Sequence, residues 1–252
     1  MAISALVKTS RHGEVMHFVM ARPRANALGL PLIEALEAAL DALEASDART
    51  LVISSAIPGF FAAGADLKYI STLSDSQFER YRDALRSPLE RIAACGRPSI
   101  AAIDGVALGG GLELAMACTL RFATPDSRLG LPEVKLGLIP GAGGTQRLPR
   151  LIGAGRALDL MLSGHELDGS SAHEIGLINQ VVQDAVVSHA LDYAARLANW
   201  PPAASDAIIQ CVDAAVTAPE RGMELEGEAV VRLFAEGHAD GGIAAFLGAV
   251  RS

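Results

Sequence analysis

Residues 103–120, IDGVALGGGLELAMACTL, and residues 121–148, RFATPDSRLGLPEVKLGLIPGAGGTQRL, decide how this chain is read. They set two carboxylates, Glu113 and Glu133, in otherwise apolar, glycine-rich sequence, with Gly109, Gly110 and Gly111 just before the first. An ionised carboxylate is costly to bury unless it is paired, hydrogen-bonded or protonated. The segment 112–120 is apolar except for Glu113 and Thr119, which predicts a helix buried on most of its faces. The glycines then fall at its N-terminus, where backbone N–H groups lack partners and carry positive partial charge. Such an end can hold an anion or a developing oxyanion, with Glu113 beside it in the first turn. The plainer alternative is a glycine turn for close packing and a glutamate favoured by the helix dipole.

Glu133 lies between Pro132 and Val134, with Lys135 close behind, and is followed by Ile139-Pro140-Gly141-Ala142-Gly143-Gly144-Thr145. Pro140 and the three glycines specify a shaped backbone, and Thr145 is read as the cap of a helix starting near Gln146. Glu133 is either an exposed acid paired with Lys135 or one of two glutamates dividing acid and base roles, since nearby like charges push pKa values apart. A separation of 20 residues does not show that they face each other. A third stretch, residues 60–68, FFAAGADLK, places small residues from Ala62 to Ala65, where a ligand can approach the main chain.

Taken in order, FAAGADLK, GVALGGGLELAMAC and LPEVKLGLIPGAGGTQRL, with RPRANAL at 22–28, resemble the crotonase superfamily and most of all its enoyl-CoA hydratases. The resemblance spans nearly the whole chain. It implies an α/β fold, a spiral of stacked ββα units, with a core over 1–199 and a C-terminal helical region over 200–252 that builds homotrimers or homohexamers. It implies an acyl-CoA thioester as substrate, an oxyanion hole at the N–H groups of Ala65 and Gly110, Glu113 and Glu133 as catalytic pair, and Gly141 as the residue that places the water. Arg22, Arg24, Ala25, Ala63, Gly64, Asp66, Leu67 and Lys68 map to the CoA side. No cofactor beyond the substrate's own CoA is expected, and no metal. An enoyl-CoA isomerase on the same scaffold needs one carboxylate only; a non-catalytic scaffold or RNA-binding oligomer is the reading from another class. Gly59, Tyr69-Ile70 and Asp104 depart from the family pattern, and the C-terminal segment lacks the basic end of many relatives.

Half of the 252 residues are hydrophobic but only 4% are aromatic, so the core rests on Ala, Leu, Ile and Val. A net charge of -8 argues against nucleic-acid partners and adhesion to anionic membranes. Cys95, Cys118 and Cys211 have an odd count and no metal-like spacing, which fits a reducing compartment, and Cys118 reads as a core residue. No signal-like segment or membrane span is read, and a cytoplasmic setting is expected.

Strands are expected at 5–9 and 15–21 with residues 11–14 as their connection, at 51–54, 98–103, 120–123, 128–131 and 179–182. Helices are expected at 31–46, at 67–94 with an interruption near Ser87-Pro88, at 155–163 and 170–176, then at 184–199, 201–218, 223–236 and 242–250. The six histidines are read as surface or structural.

Overall fold

The computed structural model describes residues 6–249. The chain begins with a hairpin, β1 (Val7–His12) and β2 (Val15–Met20), and its turn is tighter than expected: both strands pair through His12↔Val15, leaving Gly13-Glu14 as the connection. The expected start at Ala5 lies outside the described residues. Helix α1 (Leu30–Glu44) comes next, with Pro31 in its first turn and Leu32, Ile33, Leu36, Leu40 and Leu43 buried along one stripe.

Three units then repeat one path. β3 (Thr50–Ser55), β5 (Ser99–Ile103) and β7 (Leu120–Ala123) pair in parallel, and with β1, β2 and β10 (Gln180–Val181) they form a sheet ordered β1-β2-β3-β5-β7-β10. Each crosses to a short strand of a second sheet: β4 (Phe60–Ala62), β6 (Val106–Leu108) and β8 (Arg128–Gly130), with β9 (Leu167–Asp168) antiparallel at the edge. Each short strand in turn leads towards helical structure. The central parallel strands β3 and β5 are buried along nearly their whole length because both faces of the sheet are covered there, whereas the antiparallel edge strand β1 is mostly exposed.

β4 leads to α2 (Leu67–Ile70) and α3 (Asp75–Ala93). The expected break near Pro88 is not there. The helix runs through Pro88, which is buried on the same stripe as Tyr81, Leu85, Leu89 and Ile92. That packing outweighs the hydrogen bond and steric strain a mid-helix proline costs, about 3 kcal/mol. The interruption falls instead at Ser71–Ser74, where Gln77 Oε1 accepts the Ser74 N–H at 2.8 Å and restarts the helix.

β6 leads to α4 (Gly110–Ala117), which starts two residues earlier and ends three residues earlier than expected, because Leu120 belongs to β7. β8 leads to a 3₁₀ turn (Pro132–Leu136), then α5 (Gly144–Ile152) and α6 (Ala154–Ser163). Thr145 is not the cap of α5; Gly143 holds that position, and the first helical residue is Gly144. α7 (Gly169–Glu174) is capped by the Asp168 carboxylate, and α8 (Val186–Leu197) covers the outer face of the large sheet through Val186, Ala190 and Ala194. The chain ends in α9 (Pro202–Thr217), α10 (Pro219–Ala235), which starts four residues before the expected position, and α11 (Asp240–Ala249). Among the described residues, no helix is long and apolar enough to cross a membrane.

Candidate active site

The three short strands β4, β6 and β8 lie side by side in parallel, with Phe60↔Val106↔Arg128 at one end and Leu108↔Gly130 at the other. A one-residue register shift in β4 brings Ala62 opposite Ala107. Parallel neighbours end on the same side of a sheet, about 4.8 Å apart. The segments leaving their C-terminal ends are therefore delivered to one place: the AGAD loop after β4, the glycine triplet and α4 after β6, and the turn carrying Glu133 after β8. A cavity of about 70 Å³ is lined by Ala65, Gly110, Glu113, Glu133 and Gly141 together, with Ile70, Phe78, Tyr81, Arg82, Leu85, Leu138 and Ile139.

The two amides expected to act as a pair are adjacent. A Cβ built on Gly110 would lie 3.8 Å from Ala65 N, and one on Gly64 would lie 3.5 Å from Gly110 N. Among the described residues, neither N–H donates to a protein acceptor. Gly110 is the first residue of α4, so its N–H has no intrahelical partner to use.

Glu113 is 1% exposed. Its Oε1 accepts two backbone hydrogen bonds, from Ala142 N at 2.8 Å and Gly144 N at 2.7 Å. Burial raises its pKa, while the Gly144 and Ala142 amides and the Arg147 charge act in the opposite direction. The Pro-Gly-Ala-Gly-Gly loop is thus shaped around the carboxylate. Glu133 differs. Burial pushes its pKa up to about 7, with the Glu113 charge adding to the rise. Its Oε2 is buried and has no hydrogen-bond partner, and its Oε1 lies against the glycine triplet, 2.9 Å from where a Cβ on Gly109 would be. Lys135 is exposed and forms no ion pair with Glu133 among the described residues, so the exposed-pair alternative does not hold.

The expected CoA-side residues are divided by the structure. Arg22 turns inward: its Nη2 meets Asp66 Oδ2 at 2.6 Å, and its Nη1 donates to the Ala27 carbonyl. Asp66 also accepts the Tyr69 N–H and caps α2, so this pair braces the AGAD loop against residues 22–28. Ala63 N donates to Ala25 O at 2.9 Å and Leu28 N to Gly64 O at 2.7 Å, which ties the two segments along their backbones. Arg24, Leu67 and Lys68 are exposed.

Three residues that shape the site had escaped sequence reasoning. Asn26 is fully buried, donating to Ser55 Oγ at 2.7 Å and Phe61 O at 3.0 Å while accepting the Arg22 N–H at 2.8 Å. Tyr81 reaches the Leu28 carbonyl at 2.6 Å beneath the cavity. Arg147 donates to Ala142 O at 2.8 Å. A polar residue inside RPRANAL was a signal for Asn26; nothing local marked the others.

The profile of the enoyl-CoA hydratase/isomerase family matches residues 10–250. The chain belongs to that family. A Bacillus subtilis (strain 168) protein described as a probable enoyl-CoA hydratase is 39% identical over 231 residues, 89% of each chain. The mouse mitochondrial methylglutaconyl-CoA hydratase is 45% identical over 185 residues, covering 71% of this chain and 59% of the mouse protein, so the match spans little more than half the length of that relative. The crystal structure of an enoyl-CoA hydratase from Bacillus anthracis superposes with a TM-score of 0.92 at 33% identity over 96% of both chains. The crotonase-type spiral expected from the motifs is therefore the fold of this chain.

Proposed function

We propose that this protein hydrates 2-enoyl-CoA thioesters reversibly, giving 3-hydroxyacyl-CoA. One observation carries the reading: two carboxylates, Glu113 held by backbone amides and Glu133 with an unpartnered buried oxygen, share a cavity with two unpartnered backbone amides. The thioester oxygen sits between the N–H groups of Ala65 and Gly110, which stabilise the negative charge that grows there as enolate character develops. A positioned donor of this kind is typically worth about 3 kcal/mol in a water-excluded site. Glu113, held by two amides, accepts a proton from the water attacking C3, and the Gly141 backbone at the cavity wall helps place that water. Glu133 carries the proton delivered to C2; a carboxyl whose pKa is raised to about 7 retains it near neutral pH, and its unpartnered Oε2 is free to reach substrate. The roles exchange in the reverse direction.

The same proposal takes Ala25, Ala63, Gly64 and Leu67 as the backbone and apolar rim along CoA and Arg24 and Lys68 as cations available to its phosphates, with Arg22 and Asp66 holding the rim in shape. It requires no cofactor besides the substrate's CoA. Exposed Ile208, Val212 and Val216 form one stripe on α9, and Val230, Val231 and Phe234 are exposed on α10. Faces of this kind support assembly of the chain, as a homotrimer or a pair of trimers. A cytoplasmic setting is supported by three cysteines outside any disulfide among the described residues.

The test is the loss of enoyl-thioester absorbance when crotonyl-CoA is mixed with enzyme. Glu113→Gln and Glu133→Gln are each expected to lower the rate about a hundredfold or more. Unchanged rates in both variants would refute the acid–base assignment, and turnover of 3-enoyl-CoA in preference to crotonyl-CoA would favour an isomerase.

A further inference from the structure

Arg147 stands in the first turn of α5, and its side chain folds back under the loop before that helix. Nη1 donates to the Ala142 carbonyl at 2.8 Å. Ala142 is also the residue whose amide, with that of Gly144, holds Glu113 Oε1. One guanidinium therefore grips the carbonyl of a residue that presents its N–H to the base. The fit leaves no slack: Gly143 adopts φ +105°, and a Cβ there would fall 2.1 Å from Arg147 Nη1.

The charges around Arg147 point the same way. It faces Glu113 from α4, Glu90 and Arg86 from α3, and Arg150 from its own helix. Arg86 pairs with Glu90 at 2.9 Å, and Arg150 lies 3.9 Å from Asp213. Arg147 has no ion-pair partner among the described residues, so Glu113 is the unneutralised carboxylate on which its charge acts. Glu133, across the cavity, feels the Glu113 charge and no cation. Two like carboxylates at one site compete for a single proton, and a fixed cation near one of them decides which stays ionised.

Resting on the hydratase reading above, we propose that Arg147 is a positioning residue for the reaction: it clamps the Ala142 carbonyl, fixes the amide pair that holds Glu113, and by its charge assigns Glu113 the role of base and Glu133 that of acid. It touches no reacting atom.

The experiment titrates Glu113 directly. Protein labelled with ¹³C at the glutamate carboxyl is followed by NMR across pH, with the Glu113 signal assigned by its loss in Glu113→Gln. Native enzyme is compared with Arg147→Lys, Arg147→Gln and Arg147→Met. The Glu113 midpoint is expected to rise by about one pH unit in the Gln and Met variants and to return most of the way in the Lys variant. The acid limb of kcat/KM for crotonyl-CoA is expected to move with it. Identical midpoints in all variants would overturn the proposal even if their melting temperatures fell, because a structural brace alone lowers stability without moving the titration. If Arg147→Met does not fold, the Gln and Lys variants carry the comparison. If native enzyme does not hydrate crotonyl-CoA, the hydratase reading fails separately, and the titration still decides whether Arg147 governs Glu113.

Discussion

Replacing Glu133 by glutamine is expected to stabilise the protein above neutral pH while removing its activity. Burial moves the Glu133 carboxyl from an ordinary 4.5 up to about 7. Between those values the folded protein holds a proton that the unfolded chain releases, so stability falls as pH rises from about 4.5 to about 7, and the whole cost is present above that. The shift corresponds to about 3 kcal/mol at full burial. Glu133 keeps some solvent contact, which reduces the expected effect to about 2 kcal/mol. Glutamine has nearly the same volume and no charge at any of these pH values. Urea unfolding at pH 5 and pH 8, at one protein concentration, isolates the effect: the native protein should lose about 2 kcal/mol relative to Glu133→Gln between the two conditions. A gap between the two proteins that stays constant from pH 5 to pH 8 would refute the reasoning, because any packing difference is common to both. Crotonyl-CoA turnover by the same samples should be about a hundredfold lower in the variant, the pattern expected where a group is held for chemistry at the expense of the fold.

Gly64→Ala should destabilise by about 2 kcal/mol or more and abolish turnover, because Gly64 is at φ +91° and a Cβ would lie 2.7 Å from Leu108 O; Gly141→Ala, where a Cβ meets nothing within 4 Å, should keep stability within about 0.5 kcal/mol by the same urea measurement. His17, buried against Ser54 Oγ at 2.7 Å, has its pKa lowered to about 4 by burial and then by His12. The unfolded chain takes up a proton that the folded protein refuses, so about 3 kcal/mol should be lost as pH falls from about 6.5 to about 4, and His17→Gln should lack this loss in urea melts at pH 7 and pH 4.5. Asn26→Ala removes two buried donations and one acceptance, and thermal or urea unfolding should show a cost of about 2 to 4 kcal/mol, with crotonyl-CoA turnover reduced as the AGAD loop loosens.

Elements whose own pattern records their burial were legible. The α1 stripe and strands β3 and β5 fell within two residues of expectation, since a residue's periodicity reports which side of its element meets the core. Boundaries set by distant contacts were not. Pro88 is an ordinary helix breaker by local rules, and only the core it packs into holds α3 together through it. Thr145 looked like a cap, but Gly144 opens α5 because its amide is engaged by a glutamate 31 residues earlier. Arg22 was expected on the CoA side, and the structure instead turns it onto Asp66, 44 residues away.

By itself the sequence determined which groups could do chemistry: two glutamates in apolar surroundings, and small residues where a ligand can meet the backbone. The tertiary structure decided that they meet. Glu113 and Glu133 converge because β6 and β8 are hydrogen-bonded neighbours whose ends are held about 4.8 Å apart. The two carboxylates are held differently because the amides of one loop reach Glu113, while Glu133 Oε2 has no partner. Spacing along a chain carries no record of distance across a sheet, since pairing between strands is fixed by non-local contacts that no local stretch encodes.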